Sequence, residues 1–170
     1  MCGIIGYIGN KQTAPLLLEG LKKLEYRGYD SAGLCIIGDD KLKVIKKKGN
    51  ISALAKEVKL DQMSGTIGIA HTRWATHGEP NEQNAHPHLD TSQKIAIVHN
   101  GIIENYQSLK ELLIKDGIKL SSETDSEIVA HLIAKFYKKD FEQAVRQSLE
   151  LIEGAFGIAI IHKDEEKIIA

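Results

Sequence analysis

The chain has 170 residues, 42 % hydrophobic and 26 % charged, and its 22 lysines and arginines nearly balance 23 aspartates and glutamates, leaving a formal net charge of −1. That length fits one domain, able to bury roughly 70 % of the surface its unfolded form exposes, and the composition excludes a disordered chain or a coiled coil. There is no basic excess to meet nucleic acid, and no apolar run reaches the roughly 18 residues of a membrane helix.

The N-terminus lacks the basic region and the small-residue cleavage site of a signal peptide. The only cysteines, Cys2 and Cys35, cannot build a disulfide scaffold, so a reducing, cytoplasmic setting fits best.

In chain order, Gly3-Ile-Ile-Gly6-Tyr-Ile predicts a first strand, buried on both faces. A helix follows from Thr13 to Leu24, with Leu17, Leu21 and Leu24 on one face, Thr13 as cap and Pro15 in the first turn. Gly33 to Ile37 and Leu42 to Lys48 form a hairpin around Gly38-Asp-Asp-Lys41, with Lys46-Lys-Lys48 as its solvated end. Gly65-Thr-Ile-Gly68-Ile-Ala is a second glycine-bearing buried strand, and Ile95 to His99 another strand. Glu104 to Lys115 reads as a helix stopped by Gly117. Thr124-Asp-Ser-Glu127 has the form of a capping box, followed at helical spacing by Ile128, Val129, Leu132, Ile133 and Phe136.

Asp140 with Gln143 opens a last helix carrying Phe141, Val145, Leu149 and Ile152. Gly154-Ala-Phe-Gly157-Ile-Ala-Ile is the third glycine-bearing strand, and Lys167-Ile-Ile-Ala170 stops inside one more. The chain therefore reads as cut from something longer. Interleaved helices and strands that include a hairpin favour an α+β layered fold over a doubly wound parallel sheet.

Four places could carry chemistry. Removal of Met1 would give Cys2 a free α-amine. An α-amine titrates near 7.7–8.0 and a thiol near 8.5, so the amine can serve as base for its own side chain, with Gly3 leaving room for a substrate. The alternative is a small buried cysteine. His71-Thr-Arg-Trp-Ala-Thr-His-Gly78 follows a strand as a loop projected from a rigid edge. Arg73 suits a substrate carboxylate, or a neighbouring acid, through its two-pronged donor fork, and Trp74 could pack that loop down. In His99-Asn-Gly101, the Asn100 side-chain amide and the Gly101 N–H are the parts of an oxyanion hole, although Asn-Gly is also a common hairpin turn. Asp125 lies in the first turn of its helix, where the dipole favours an acid and where it could equally hold an ammonium group.

Five histidines between His71 and His99 invite a metal reading, but no cysteine or carboxylate stands at ligand spacing around them, and Pro87 makes His86-Pro-His88 a turn.

Taken as a set, Cys2-Gly-Ile-Ile-Gly6, Tyr26-Arg-Gly-Tyr-Asp-Ser-Ala-Gly33, His71-Thr-Arg-Trp-Ala-Thr-His-Gly-Glu-Pro80, Asn84-Ala-His-Pro-His88, His99-Asn-Gly-Ile-Ile-Glu-Asn105 and Ser122-Glu-Thr-Asp-Ser-Glu127 resemble the glutaminase domains of the glutamine–fructose-6-phosphate aminotransferase family, a branch of the class II amidotransferases. The resemblance runs from residue 2 to at least Glu127.

It implies a four-layer αββα sandwich of the N-terminal nucleophile hydrolase type, incomplete at its C-terminus, over residues 1–170. It further implies that Cys2 attacks the side-chain amide of L-glutamine, that Asn100 and Gly101 stabilise the oxyanion, and that Arg73 and Asp125 clamp the α-carboxylate and α-ammonium. Trp74, Thr76 and His77 would belong to a loop closing over glutamine. No cofactor is implied. In the full-length, homodimeric enzymes of that family the ammonia passes to fructose 6-phosphate in sugar-isomerase domains, which nothing in this chain matches. The competing readings are a glutamine hydrolase or amidotransferase with another acceptor, and a metal- or ligand-binding module built on the histidines.

Overall fold

The computed structural model describes residues 2–74 and 78–170. Two antiparallel sheets lie face to face, each covered on its outer side by helices. The first sheet has strand order β1-β4-β2-β3, from β1 (Gly3–Ile8), β2 (Ser31–Gly38), β3 (Lys41–Lys48) and β4 (Ile67–Arg73). Helices α1 (Thr13–Leu24) and α2 (Ile51–Glu57) cover it. The second sheet runs β5-β6-β7-β8, from β5 (His88–Leu89), β6 (Ile95–Gly101), β7 (Phe156–His162) and β8 (Ile168–Ile169). Helices α3 (Tyr106–Lys115), α4 (Ser126–Phe136) and α5 (Phe141–Leu149) belong to its outer side.

Period-2 alternation splits each strand between two apolar layers. On β2, Leu34 and Ile36 face α1 and α2, while Cys35 and Ile37 face the second sheet. On β6, Ile95 and Ile97 meet α4 and α5, while Ala96 and Val98 meet the first sheet. Three apolar layers make a four-layer αββα sandwich, as expected. Small residues at the centre (Cys35, Ala96, Ala159) let the sheets close on one another.

Several local expectations change. Only β4 is buried along its whole length; β1 is a half-exposed edge strand, and β7 is buried mainly in its second half. Thr13 is the first helical residue of α1 rather than its cap, and Gln12 precedes it without a side-chain bond. No capping box forms at α4. Glu127 instead accepts from the backbone N–H and hydroxyl groups of Ser121 and Ser122, so it holds the preceding loop rather than the helix start. Helix α2 has no counterpart among the predicted elements, because about two turns over seven residues show too little periodicity; Asn50 caps it through Ala53 N–H at 3.0 Å. The hairpin turn at Asp39 and Asp40 holds, both with positive φ, and Asp140 caps α5 through Gln143 N–H at 2.9 Å.

Lys46 is not a solvated end. Its ammonium donates to the Gln83 carbonyl at 3.1 Å, and burial pulls its pKa down to about 8.

Candidate functional site

Cys2 immediately precedes β1, which pairs with β4 so that Gly3 lies opposite Thr72. The Gly3 N–H also donates to the Thr72 hydroxyl at 3.1 Å, fixing the start of the chain. Gly3 does not make room for a substrate. A Cβ there would meet the Leu24 side chain at 2.9 Å, so the missing side chain admits α1 instead. The Cys2 sulfur accepts from Trp74 N–H at 3.2 Å. Trp74 is 48 % exposed, its indole edge-on to Tyr29 with centroids 5.4 Å apart.

The segment from His71 to Arg73 is strand rather than loop, because Arg73 still pairs with Ser31 of β2. Its guanidinium is buried, donates to the carbonyls of Gly78 and Glu79 at 3.2 and 3.4 Å, and feels the charges of Asp30, Cys2 and Asp125. Burial lowers its pKa, while the neighbouring acidic groups oppose that shift. Thr76 and His77 lie outside the described residues.

Asn100 and Gly101 end β6 opposite Gly157 and Phe156, so the Asn-Gly pair is a strand end and not a hairpin turn. Asn100 Nδ2 donates to the Cys2 carbonyl at 3.2 Å, which brings together residues from opposite sheets. Gly101 has φ +135°, and a Cβ there would lie 2.4 Å from the Ala155 carbonyl oxygen, so only glycine fits.

Asp125 precedes α4 in a helical conformation and makes no cap bond. It is buried, and Oδ2 accepts from Ile103 N–H at 2.9 Å, which leaves Oδ1, among the described residues, with only a long bond from the Ser126 hydroxyl at 3.3 Å.

These side chains line one cavity of about 390 Å³, shared by Cys2, Arg73, Trp74, Asn100, Gly101 and Asp125. The same wall includes Arg27, His86, His99 and Ser126, which the sequence reading did not single out as site residues. Spacing along the sequence offers these histidines only as metal ligands, and the signal for their place in the cavity is that His99 closes an apolar run beside Asn100. Among the described residues no cluster of histidine, cysteine and carboxylate groups could hold a metal ion. Imidazole rings meet imidazole rings instead: His71 and His86 lie 4.2 Å apart, and His86 and His88 4.6 Å. Burial holds the pKa of His86 and His88 well below the ordinary value, so the cluster is neutral near pH 7.

A family-wide sequence profile described as "Glutamine amidotransferase domain" matches residues 71–170. The chain belongs to the glutamine amidotransferase family. This amidotransferase domain is 53 % identical over 169 residues to the isomerizing glutamine–fructose-6-phosphate aminotransferase of Caldanaerobacter subterraneus subsp. tengcongensis, covering 99 % of this chain and 28 % of that one. It is 48 % identical over 170 residues to the enzyme of the same name from Thermus thermophilus, again spanning 28 % of the relative. The amidotransferase chain thus spans under a third of the curated relatives it matches. Among solved structures, glutamine phosphoribosylpyrophosphate amidotransferase from B. subtilis superposes with a TM-score of 0.83 at 26 % identity, covering 96 % of this chain and 35 % of that one. The fold is that of the N-terminal nucleophile amidotransferases. No described helix is long and apolar enough to cross a membrane.

Proposed function

We propose that these 170 residues are the glutaminase part of a longer glutamine–fructose-6-phosphate aminotransferase, working in a reducing cytoplasm and splitting L-glutamine into glutamate and ammonia. The observation that carries this reading is the convergence of a thiol, an amide donor, a guanidinium and a carboxylate on one cavity. The substrate is a zwitterion with a carboxamide at its far end. Arg73 meets the α-carboxylate, Asp125 Oδ1 meets the α-ammonium, and the carboxamide reaches Cys2.

After removal of Met1 the α-amine of Cys2 takes the thiol proton. The sulfur then attacks the amide carbon, and the carbonyl electron pair moves to oxygen. The amide nitrogen of Asn100 carries two hydrogens; Cys2 O takes one, and the second is available with Gly101 N–H to the oxyanion. The amine returns the proton to departing ammonia, leaving a thioester. Water activated by the same amine releases glutamate. Trp74, Thr76 and His77 belong to the segment that closes over the substrate. Ammonia then passes to fructose 6-phosphate, bound by the parts of the longer protein that this chain does not span.

Ammonia release from glutamine, measured without and with fructose 6-phosphate, tests both halves of the reading. Hydrolysis by the Met1-free chain with no amination of the sugar is expected. Alkylation anywhere but the Cys2 sulfur, by a glutamine mimic carrying an electrophilic ketone at the amide carbon, would overturn the thioester route.

A further inference from the structure

An asparagine amide can be turned end for end at little steric cost, yet only one orientation offers N–H to an oxyanion. Three atoms around Asn100 decide which is present. His71 projects from β4 in the first sheet, and its Nε2 lies 3.1 Å from the carbonyl oxygen of His99 and 2.8 Å from Oδ1 of Asn100, both on β6 in the second. A carbonyl oxygen can only accept, so Nε2 carries the ring proton. The Asn100 atom facing it must then be the oxygen, which leaves Nδ2 beside Cys2. There the Cys2 carbonyl, a second obligate acceptor, receives an N–H at 3.2 Å. Reversing the amide would set N–H against N–H at one end and oxygen against oxygen at the other, leaving buried polar groups unpaired.

The imidazole is suited to this single-donor state. It is fully buried, its Nδ1 has no hydrogen-bond partner among the described residues, and the His86 ring covers it at 4.2 Å. Burial pulls its pKa down to about 4, so it stays neutral at pH 7.

We infer that His71 is a positioning residue for amide hydrolysis: its Nε2–H holds the side-chain amide of Asn100 with the nitrogen toward Cys2 and the cavity. The inference rests on the proposed role of Asn100 as oxyanion donor and adds the group that orients it.

Two substitutions in the Met1-free chain test it. His71→Leu keeps bulk without a donor, and His71→Gln returns an N–H near the Nε2 position. The probes are glutamate and a glutamine analogue ending in an aldehyde. The Cys2 thiol adds to that aldehyde, forming a C–S bond and moving the carbonyl electron pair to oxygen, while the thiol proton goes to the α-amine. For His71→Leu, kcat and aldehyde affinity should fall between about tenfold and the 10²–10³-fold typical of losing one oxyanion donor. Glutamate affinity and the KM for glutamine should hold within about threefold, and His71→Gln should recover most of the loss. In an Asn100→Ala background, His71→Leu should cost nothing further.

Equal weakening of both probes, or losses that multiply in the double variant, would reduce His71 to packing. An Asn100→Ala variant with full kcat and aldehyde affinity would instead remove the oxyanion role of Asn100 itself. Should His71→Leu not fold, imidazole ¹⁵N spectra of the unsubstituted chain decide the point: an Nε2–H tautomer is expected at pH 7, and an Nδ1–H tautomer overturns the inference.

Discussion

The backbone N–H of Trp74 donates to the sulfur of Cys2 at 3.2 Å, so the residue just after β4 holds the side chain just before β1. Among the described residues, removing the sulfur loses only this bond and a long one from the thiol to the Trp74 carbonyl at 3.6 Å, and no core packing. Cys2→Ala should therefore abolish ammonia release while leaving the thermal unfolding midpoint unchanged. Retained turnover would remove Cys2 as nucleophile. Blocking the α-amine, by keeping Met1 or by acetylation, should have the same effect on turnover.

Arg73 and Asp125 should separate binding from stability. Losing a buried charge partner costs roughly 2–5 kcal/mol, so Arg73→Ala should raise the KM for glutamine by about 30-fold or more. Asp125→Ala also strands the buried N–H of Ile103, which costs about 1–3 kcal/mol of fold stability in urea titration. Asp125→Asn keeps an acceptor for that N–H. It should hold stability and lose glutamine affinity, as seen by calorimetric titration.

Gly101→Ala places a methyl group 2.4 Å from the Ala155 carbonyl oxygen, at a φ of +135°. Strain of this kind costs of order 1–3 kcal/mol. The variant should unfold at lower denaturant concentration and also lose kcat, because the strand end carrying Asn100 must shift.

Stability should fall as the pH drops from about 6.5 toward 4. The unfolded chain binds a proton at His71 near pH 6.5, whereas burial delays this in the folded chain to about 4. The contribution is complete above the unfolded value and lost as the pH falls through the folded one, amounting to about 3 kcal/mol for His71 alone. The buried rings of His86, His88 and His99 act in the same direction. Glu127 extends the loss further into acid. Burial alone would raise its pKa, but hydrogen bonds from His131, Ser122 and Ser121 overcome that and hold the carboxyl well below the usual range. Its share is present above about pH 4.3 and disappears on further acidification. Urea unfolding at pH 7, 5 and 4 checks the trend; flat stability between 7 and 5 would contradict the buried-histidine account.

Much of the architecture was legible because its cause is local. Unbroken apolar runs at Leu34 to Ile37 and Ile95 to Val98 require two buried faces, which gives layered packing of helices and sheets, whereas the four-layer order follows from the family resemblance. Asp140 before Gln143 and the Asp39-Asp40 turn are local as well. The capping box at Thr124 failed because serines in the preceding loop offered Glu127 more donors than its own helix start did.

Residue types and order alone thus marked Cys2, Arg73, Asn100, Gly101 and Asp125, since charge, nucleophilicity and amide chemistry are properties of single side chains. Tertiary structure alone decided that they share a cavity, that Asp125 spends one oxygen on Ile103, and that the Asn100 atom facing His71, beside the His99 carbonyl, is its oxygen. Orientation and pairing depend on which atoms of distant strands lie within hydrogen-bond reach, and no spacing along one chain encodes the packing of two sheets.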